Sequence, residues 1–338
     1  MKKLFIFVVL ALILLGAIRV HYLLQPSGDI ADFSTWTQSA HLHSPHRPDI
    51  LVKYFGVSTL LFDDGKDQIL IDGFFSRPTL RQVALEKIQS DTALLDQMIQ
   101  RYDLKRLKAI LVTHSHYDHA LDIAYLAKRT GAKIIGSNTT HWIAKGGQVP
   151  ASQLHLSDPE HVYVLGNFHV RAIPSRHTPP TLVNNDLGET LTAPLVQPTH
   201  ATHFVEGGSY DYYLQAYDHR ILVKASTDFV PYAYQGLEVD SLFLGVAQLA
   251  KQSAAFQHAY LSETIGKLKP RLLVPIHWDN FFSPLSKPLQ LFPRLADNSP
   301  KSLHLAIDAA QKQGADVVMM TTSGSLGLPL KHPANDSD

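Results

Sequence analysis

Residues 107–122 read LKAILVTHSHYDHALD, an apolar run that ends in three histidines and two aspartates. The stretch from Leu107 to His114 has the length and composition of a buried strand. A strand buried on both faces must lie inside a layered body, with its polar end delivered to an edge where those groups find partners. In extended chain, residues i and i+2 point to the same side, so His114 and His116 can face one metal ion. Asp118 and His119 follow where a helix is predicted from about Asp118 to Arg129, closed by Gly131. A bend there can aim both at a second ion. The competing reading is a solvated turn, with Asp118 as a helix cap. A chain with 19 histidines raises the chance of meeting such a pattern without function.

Three later positions weigh towards metal. His177 stands in IPSRHTPP, Asp228 in ILVKASTDF and His277 in LLVPIHWDN. Each ends a strand-like run and opens a loop, where a rigid scaffold can aim side chains at a common cleft. Other strand-like stretches are 50–64 (broken at Gly56), 68–75 with Asp72 near its end, 132–137, 161–173, 210–217, 220–226, 240–247 and DVVMMT near the C-terminus. Helices are predicted over 91–102, with Asp91 as N-cap, and over 254–268 and 304–314. Two strand-rich halves, each with helices, predict a layered α+β sandwich of sheets between helical layers. Long loops are expected at 174–209 and 281–301, and such loops are commonly functional.

Composition narrows the chemistry. Thirty basic and thirty acidic residues cancel, with no dense basic run, so no nucleic-acid partner is expected. The chain has no cysteine, which excludes disulfides, thiolate zinc sites and cysteine nucleophiles. Any metal must be held by His, Asp and Glu. Lys2 and Lys3 precede an apolar stretch from Leu4 to Ile18, an export signal or an anchor rather than part of the fold. Apolar residues resume after Arg19, which can snorkel, and no small-x-small cleavage site stands between Gly16 and Ile30. A retained single-span anchor is therefore expected, with the body outside the inner membrane. The alternative is a periplasmic or secreted protein after cleavage. The expected organisation is an anchor at 1–24, a linker or strap at 25–48, one catalytic domain at 49–330 and a polar tail at 331–338.

H-x-H-x-D-H followed by a histidine, an aspartate and a histidine at strand ends resembles the metallo-β-lactamase superfamily of metal-dependent hydrolases. SHYDHALD, DSLFLGV and IHWDNF are most similar to its branch of N-acyl-phosphatidylethanolamine phospholipase D and the ascorbate-6-phosphate lactonases. The resemblance covers residues 50–325 and implies a four-layer αββα sandwich with two metals at one edge. It implies that His114, His116 and His177 hold the first metal, that Asp118, His119 and His277 hold the second, and that Asp228 bridges them. Asp72 would stand behind, hydrogen-bonded to the free ring nitrogen of a ligand histidine. One departure is Ser226-Thr227-Asp228-Phe229, where the superfamily usually surrounds the aspartate with glycine and threonine.

Two divalent metals sharing a hydroxide make a nucleophile at neutral pH, and Asp118 would aim it. The donor set suits zinc, with manganese or iron as alternatives. Hydrolysis is expected, on a phosphodiester or a lipid-derived substrate in view of the branch likeness and the anchor. The alternatives are a lactonase or other ester or amide hydrolase, and a catalytically silent metal-binding envelope protein. A di-iron oxidoreductase is disfavoured, because such proteins usually carry glutamate where His116 stands, together with a flavin domain. Phe281, Phe282, Leu291 and Phe292 are candidates for an apolar cleft wall, and His200 or His203 for substrate contact. HLHSPH at 41–46 lacks a carboxylate and is expected not to be a site. His141, His155, His161 and His169 have no partner pattern and read as structural or exposed.

Overall fold

The apolar runs become strands of two sheets in the computed structural model, which describes residues 2–37, 49–181, 185–322 and 324–328. The first sheet is built from β1 (Ile50–Tyr54), β2 (Leu60–Asp63), β3 (Gln68–Ile71), β5 (Leu107–Leu111), β6 (Lys133–Gly136), β7 (Leu154–Leu156) and β16 (Leu326–Leu328), in the order β16-β1-β2-β3-β5-β6-β7. Its β1–β3 half is antiparallel and its β3–β7 half parallel. The second sheet uses β8 (Val162–Leu165), β9 (Phe168–Pro174), β11 (Tyr210–Ala216), β12 (His219–Lys224), β13 (Ser241–Gly245), β14 (Leu272–Ile276) and β15 (Asp316–Val317), in the order β15-β14-β13-β12-β11-β9-β8. It too is half parallel and half antiparallel. A short ladder pairs β4 (Lys87–Ile88) with β10 (Thr199–His200).

Alternation along the strands explains the layers. Val52, Leu60, Phe62, Ile69, Ile71, Ala109 and Leu111 point into the core shared with the second sheet. Leu61, Leu70, Ile110, Val112 and Ile134 point the other way, onto the helices Thr92–Arg101, Ile123–Thr130 and Asn138–Gly146. Because both faces are covered, the central strands carry no polar alternation, as the sequence suggested. The helices Ala254–Leu261 and Ser299–Lys312 cover the second sheet, completing the sandwich.

Several elements differ from expectation. The helix expected from Asp118 to Arg129 is two pieces, Tyr117–Ala120 and Ile123–Thr130. The break falls at Asp122, a buried carboxylate that accepts from Phe75 N and Ser76 N, each at 2.8 Å, and from Ser76 Oγ at 2.6 Å. The helices Leu80–Leu85 and Asn138–Gly146 differ from expectation, the first being only six residues long and the second polar. The last helix starts at Ser299 rather than 304, because Asn298 caps it through Lys301 N and Pro300 stands in its first turn.

Residues 25–37 are a strap rather than a free linker. Ser27 N donates to Phe292 O at 2.8 Å, and Phe33 is fully buried against Trp36 and His304. HLHSPH and the polar tail lie outside the described residues.

A buried ion pair fastens the two sheets at one end. Arg77 Nη1 donates to Asp279 Oδ2 at 2.8 Å with both side chains inaccessible. Asp279 Oδ1 also accepts from Val57 N at 2.6 Å and from Tyr54 Oη at 3.0 Å. Gly56 makes room for this, since a Cβ there would meet Arg77 Nη2 at 2.0 Å and Asp279 Oδ2 at 2.4 Å. Replacing Asp279 by alanine strands a buried guanidinium. We expect it to lower unfolding free energy by about 3–5 kcal/mol, measured by urea denaturation.

Candidate metal centre

Strands from both sheets deliver the ligand-type side chains to one edge. β5 ends just before Thr113 and His114, and the one-turn helix after it presents Asp118 and His119. β9 ends three residues before His177, and β14 ends immediately before His277. Asp72 and His277 adopt left-handed backbone, with φ of 53° and 56°, so each turns its side chain off the line of its strand. Ligand atoms of His114, His116 and His177 lie within 4.8 Å of one another, and those of Asp118, His119 and His277 do likewise. The two groups adjoin, with the rings of His114 and His119 centred 3.8 Å apart.

Hydrogen bonds fix which ring nitrogen faces inward. His177 Nδ1 is 2.9 Å from Thr178 O, which leaves Nε2 as its inward lone pair. His119 Nδ1 is 2.8 Å from Asp72 Oδ2, so its Nε2 faces the cluster. Asp72 also accepts from Ser58 Oγ and from Thr113 N at 2.7 Å. Within the cluster, His114 Nε2, His119 Nε2 and His277 Nδ1 are buried without a hydrogen-bond partner, as is His155 Nε2 elsewhere among the described residues. Asp118 Oδ2 stands 3.5 Å from His119 Nε2 and 3.6 Å from His277 Nε2, beyond ordinary hydrogen-bond length. Orphaned buried nitrogens are rare in folded proteins. His114 Nε2 and His119 Nε2, on adjoining rings beside a carboxylate, are what divalent cations would satisfy, and a donor set of nitrogen and oxygen suits zinc, manganese or iron.

Electrostatics separates the histidines. Burial, reinforced by neighbouring imidazoles, holds His114 well below the ordinary histidine value. Burial also pulls His177 down to about 3 and His277 to about 4, so both are neutral imidazoles at pH 7. Burial opposes charge on His119 too, but Asp118 and Asp72 outweigh it and raise His119 to about 10. Asp118 is driven up by burial and down more strongly by His119, and ends below the usual carboxylate range.

The sequence reading placed His114, His116, His177, Asp118, His119 and His277 together, and the structure does so. Asp228, expected to bridge, belongs to neither group. Its Oδ1 accepts from Phe229 N at 2.7 Å, and burial raises its pKa against the nearby charges of Lys224 and Arg176. Phe281 and Phe292 lie 5.9 Å and 6.1 Å from the His277 ring, and Phe282 packs on Phe281 at 4.7 Å. Leu291, also expected in that wall, is instead fully buried in the core. His203 is exposed, bonded to Thr199 Oγ1 and facing His200.

One residue escaped the sequence reading. Asp186, in the 174–209 loop, places its carboxylate oxygens 3.0 Å and 3.1 Å from His116 Nε2. Glu206 N donates to the same carboxylate at 3.1 Å. Burial pushes Asp186 up, but the hydrogen bond and charge of His116 hold it below its ordinary value. Asp186 thus stands to His116 as Asp72 stands to His119. The only signal in the chain was a carboxylate within a long loop after a candidate ligand.

Fold and site together define a metal-binding protein of the α+β sandwich class. Residues 52–222 match the metallo-beta-lactamase superfamily, and the chain belongs to it. A UPF0173 metal-dependent hydrolase of Pyrobaculum islandicum is 31% identical over 138 residues, 37% of this chain and 53% of the relative. Another from Methylacidiphilum infernorum is 33% identical over 97 residues, 28% of this chain and 36% of the relative. This chain therefore spans about half or less of the curated relatives it matches. Igni18, a metallo hydrolase from the hyperthermophilic archaeon Ignicoccus hospitalis, superposes with a TM-score of 0.51 at 15% identity, over 83% of this chain and 99% of that one. A mutant of the CmlA beta-hydroxylase gives 0.52 at 14% identity, over 83% of this chain and 54% of that one. At such identities these two structures show the fold alone.

Two outcomes test this geometry. Asp186→Asn should weaken metal binding by about 10–100-fold, read by competition with a chelator of known affinity. Metal-stripped protein should lose stability as pH falls below 6.5, the ordinary histidine value, because His114, His177 and His277 stay neutral when folded but bind protons when unfolded. Wherever the unfolded chain binds more protons, stability falls with falling pH. His119 carries the opposite sign: its contribution is full below pH 6.5 and is lost as pH rises through about 10. Melting temperatures of the stripped protein measured from pH 7 down to pH 4 report the first effect, and metal should blunt it.

Proposed function

We propose that this protein is a metal-dependent hydrolase that holds two divalent cations, zinc foremost, one on His114, His116 and His177 and one on Asp118, His119 and His277. The observation that carries this reading is the set of buried ring nitrogens left without partners where the two groups meet. Cations bound there supply two things: a water whose pKa is lowered towards neutrality and a polarised substrate oxygen. The remaining work belongs to the chain. Asp118, buried between His119 and His277, offers a carboxylate oxygen to orient the attacking water and take its proton. Asp72 keeps His119 in the tautomer whose Nε2 faces the cations. Asp228 is the candidate bridging ligand, from the turn whose Thr227 N is tied to Thr178 Oγ1 beside His177.

The fold also carries a hydroxylase, so hydrolysis rests on the ligands and not on the architecture. His116 supplies an imidazole where di-iron oxidoreductases usually place glutamate. For the substrate, we favour a phosphodiester or a lipid-derived ester. The support is the likeness of SHYDHALD and IHWDNF to the N-acyl-phosphatidylethanolamine phospholipase D branch, the apolar N-terminal helix, and the Phe281–Phe292 wall beside His277. A lactone is the second choice, from the same branch.

Purified full-length protein should bind two zinc equivalents and hydrolyse bis-p-nitrophenyl phosphate or phospholipid faster than lactones or β-lactams. Activity should vanish with a chelator and return with zinc. Asp118→Asn should lower kcat by about 10²–10⁴-fold. Lactone turnover without phosphodiester turnover would reverse the substrate order, and two bound metals with no turnover of any ester would sink the enzyme assignment.

A further inference from the structure

The apolar helix Lys2–Leu24 ends against the catalytic body. Its last turn and the residues after it form a short seam with 292–295. Leu295 N donates to Leu23 O at 2.9 Å, Arg294 N to Gln25 O at 3.0 Å, and Ser27 N to Phe292 O at 2.8 Å. Pro26 forms a bridge with Pro293, and the Arg294 guanidinium lies 4.6 Å from the centre of the Tyr22 ring. The same short segment lines the metal centre, because Phe292 stacks 6.1 Å from His277 and 5.4 Å from Phe281. One stretch of chain therefore holds both the end of the helix and a ring packed on His277.

Among the described residues, nothing buries the rest of the helix. None of its 23 residues is buried, and at about 1.5 Å per residue it is long enough to cross a hydrocarbon core of about 30 Å. The seam has the make-up of a membrane–water boundary. Tyr22 marks the end of the apolar helix, Arg294 lies over it, and Lys251 Nζ reaches Leu295 O at 3.0 Å. Aromatic rings favour the headgroup level, and basic side chains there attract anionic lipid. Leu295, 58% exposed, projects beside them. Cleavage within or just after this helix would discard contacts that the body makes with Tyr22 and Leu23.

We propose that the helix is a retained anchor whose last turn is built into the cleft wall, holding the metal centre at the surface of an anionic bilayer. An amphiphilic ester in that bilayer then reaches the ligand groups with its apolar part along Phe281 and Phe282, which Phe292 backs from beneath. This last step rests on the hydrolase reading, whereas the placement does not.

The chain contains no cysteine, so single cysteines report without background. Leu295→Cys and Val164→Cys, the latter 65% exposed on edge strand β8, are labelled with a fluorophore in the full chain. Both are reconstituted into phosphatidylcholine–phosphatidylglycerol vesicles carrying headgroup nitroxides. The placement requires intact mass that includes the helix, loss of most emission at 295, and little loss at 164. Mature protein starting beyond Leu24, or equal quenching at the two positions, overturns it whatever the hydrolysis assay reports. In the same vesicles, a long-chain phosphodiester should turn over faster than its soluble short-chain analogue. The reverse order overturns the amphiphile assignment. Full quenching at 295 with neither compound hydrolysed counts against the hydrolase reading while the placement stands.

Discussion

A fully buried carboxylate, Asp72, holds the metal edge of the first sheet in register. Taking a carboxylate out of water is tolerable only when its oxygens are saturated. Ser58 Oγ, Thr113 N, Thr113 Oγ1 and His119 Nδ1 all serve it, and its own N–H is bound by Leu111 O at 2.8 Å. One side chain thereby ties the turn after β1, the end of β3, the end of β5 and the ligand turn. Any rearrangement of these segments leaves a desolvated negative group unpaired, which is why the edge has a single low-energy arrangement.

The second sheet is aligned to that edge by separate bolts. His277 N donates to Val57 O at 2.7 Å, so the ligand turn after β14 hangs directly from the β1–β2 turn that Arg77 and Asp279 stiffen. Tyr212 Oη lies 2.9 Å from Val112 O and 3.0 Å from Ile135 O, reaching from β11 into the first sheet. Deeper in the second sheet, buried Lys224 joins Ser175 Oγ at 2.9 Å to Asp211 at 3.3 Å, linking the ends of the strands that lead to His177 and Asp228. The clustered histidines and Asp118 come from distant parts of the chain, and polar contacts between strand ends turn that topology into a defined distance.

Much of this was legible in the residues because burial on both faces leaves a plain trace. Runs such as LKAILV, DSLFLGV and RLLVPI have no polar side beyond Lys108 and Arg271 near their starts, and the structure buries both sides of the rest. The six ligand candidates were legible because strand ends deliver side chains to one edge, so histidine at several strand ends is a spatial statement. Other features left no local signal. Asn138–Gly146 is helical through a capping box at Ser137 and the burial of Ile143 and Ala144, although NTTHWIAKG is weak as a helix sequence. Asp186 looks like any loop aspartate until the fold lays it beside His116. Leu291 read as a cleft residue because it neighbours Phe292, yet alternate positions in an extended segment face opposite ways and its side chain enters the core.

The interruption at Asp122 divides labour within what the sequence presents as one helix. Residues 123–130 are bound to the neighbouring helices and sheet by Ile123, Leu126 and Ala127, while the short turn Tyr117–Ala120 answers to the polar groups around it. A continuous helix would lock the azimuth of Asp118 and His119 to the packing of the scaffold, since each residue advances by a fixed rotation. Uncoupling the two lets side chains on the outer helix change volume without swinging the ligands, so the scaffold can drift in sequence while the metal geometry stays put.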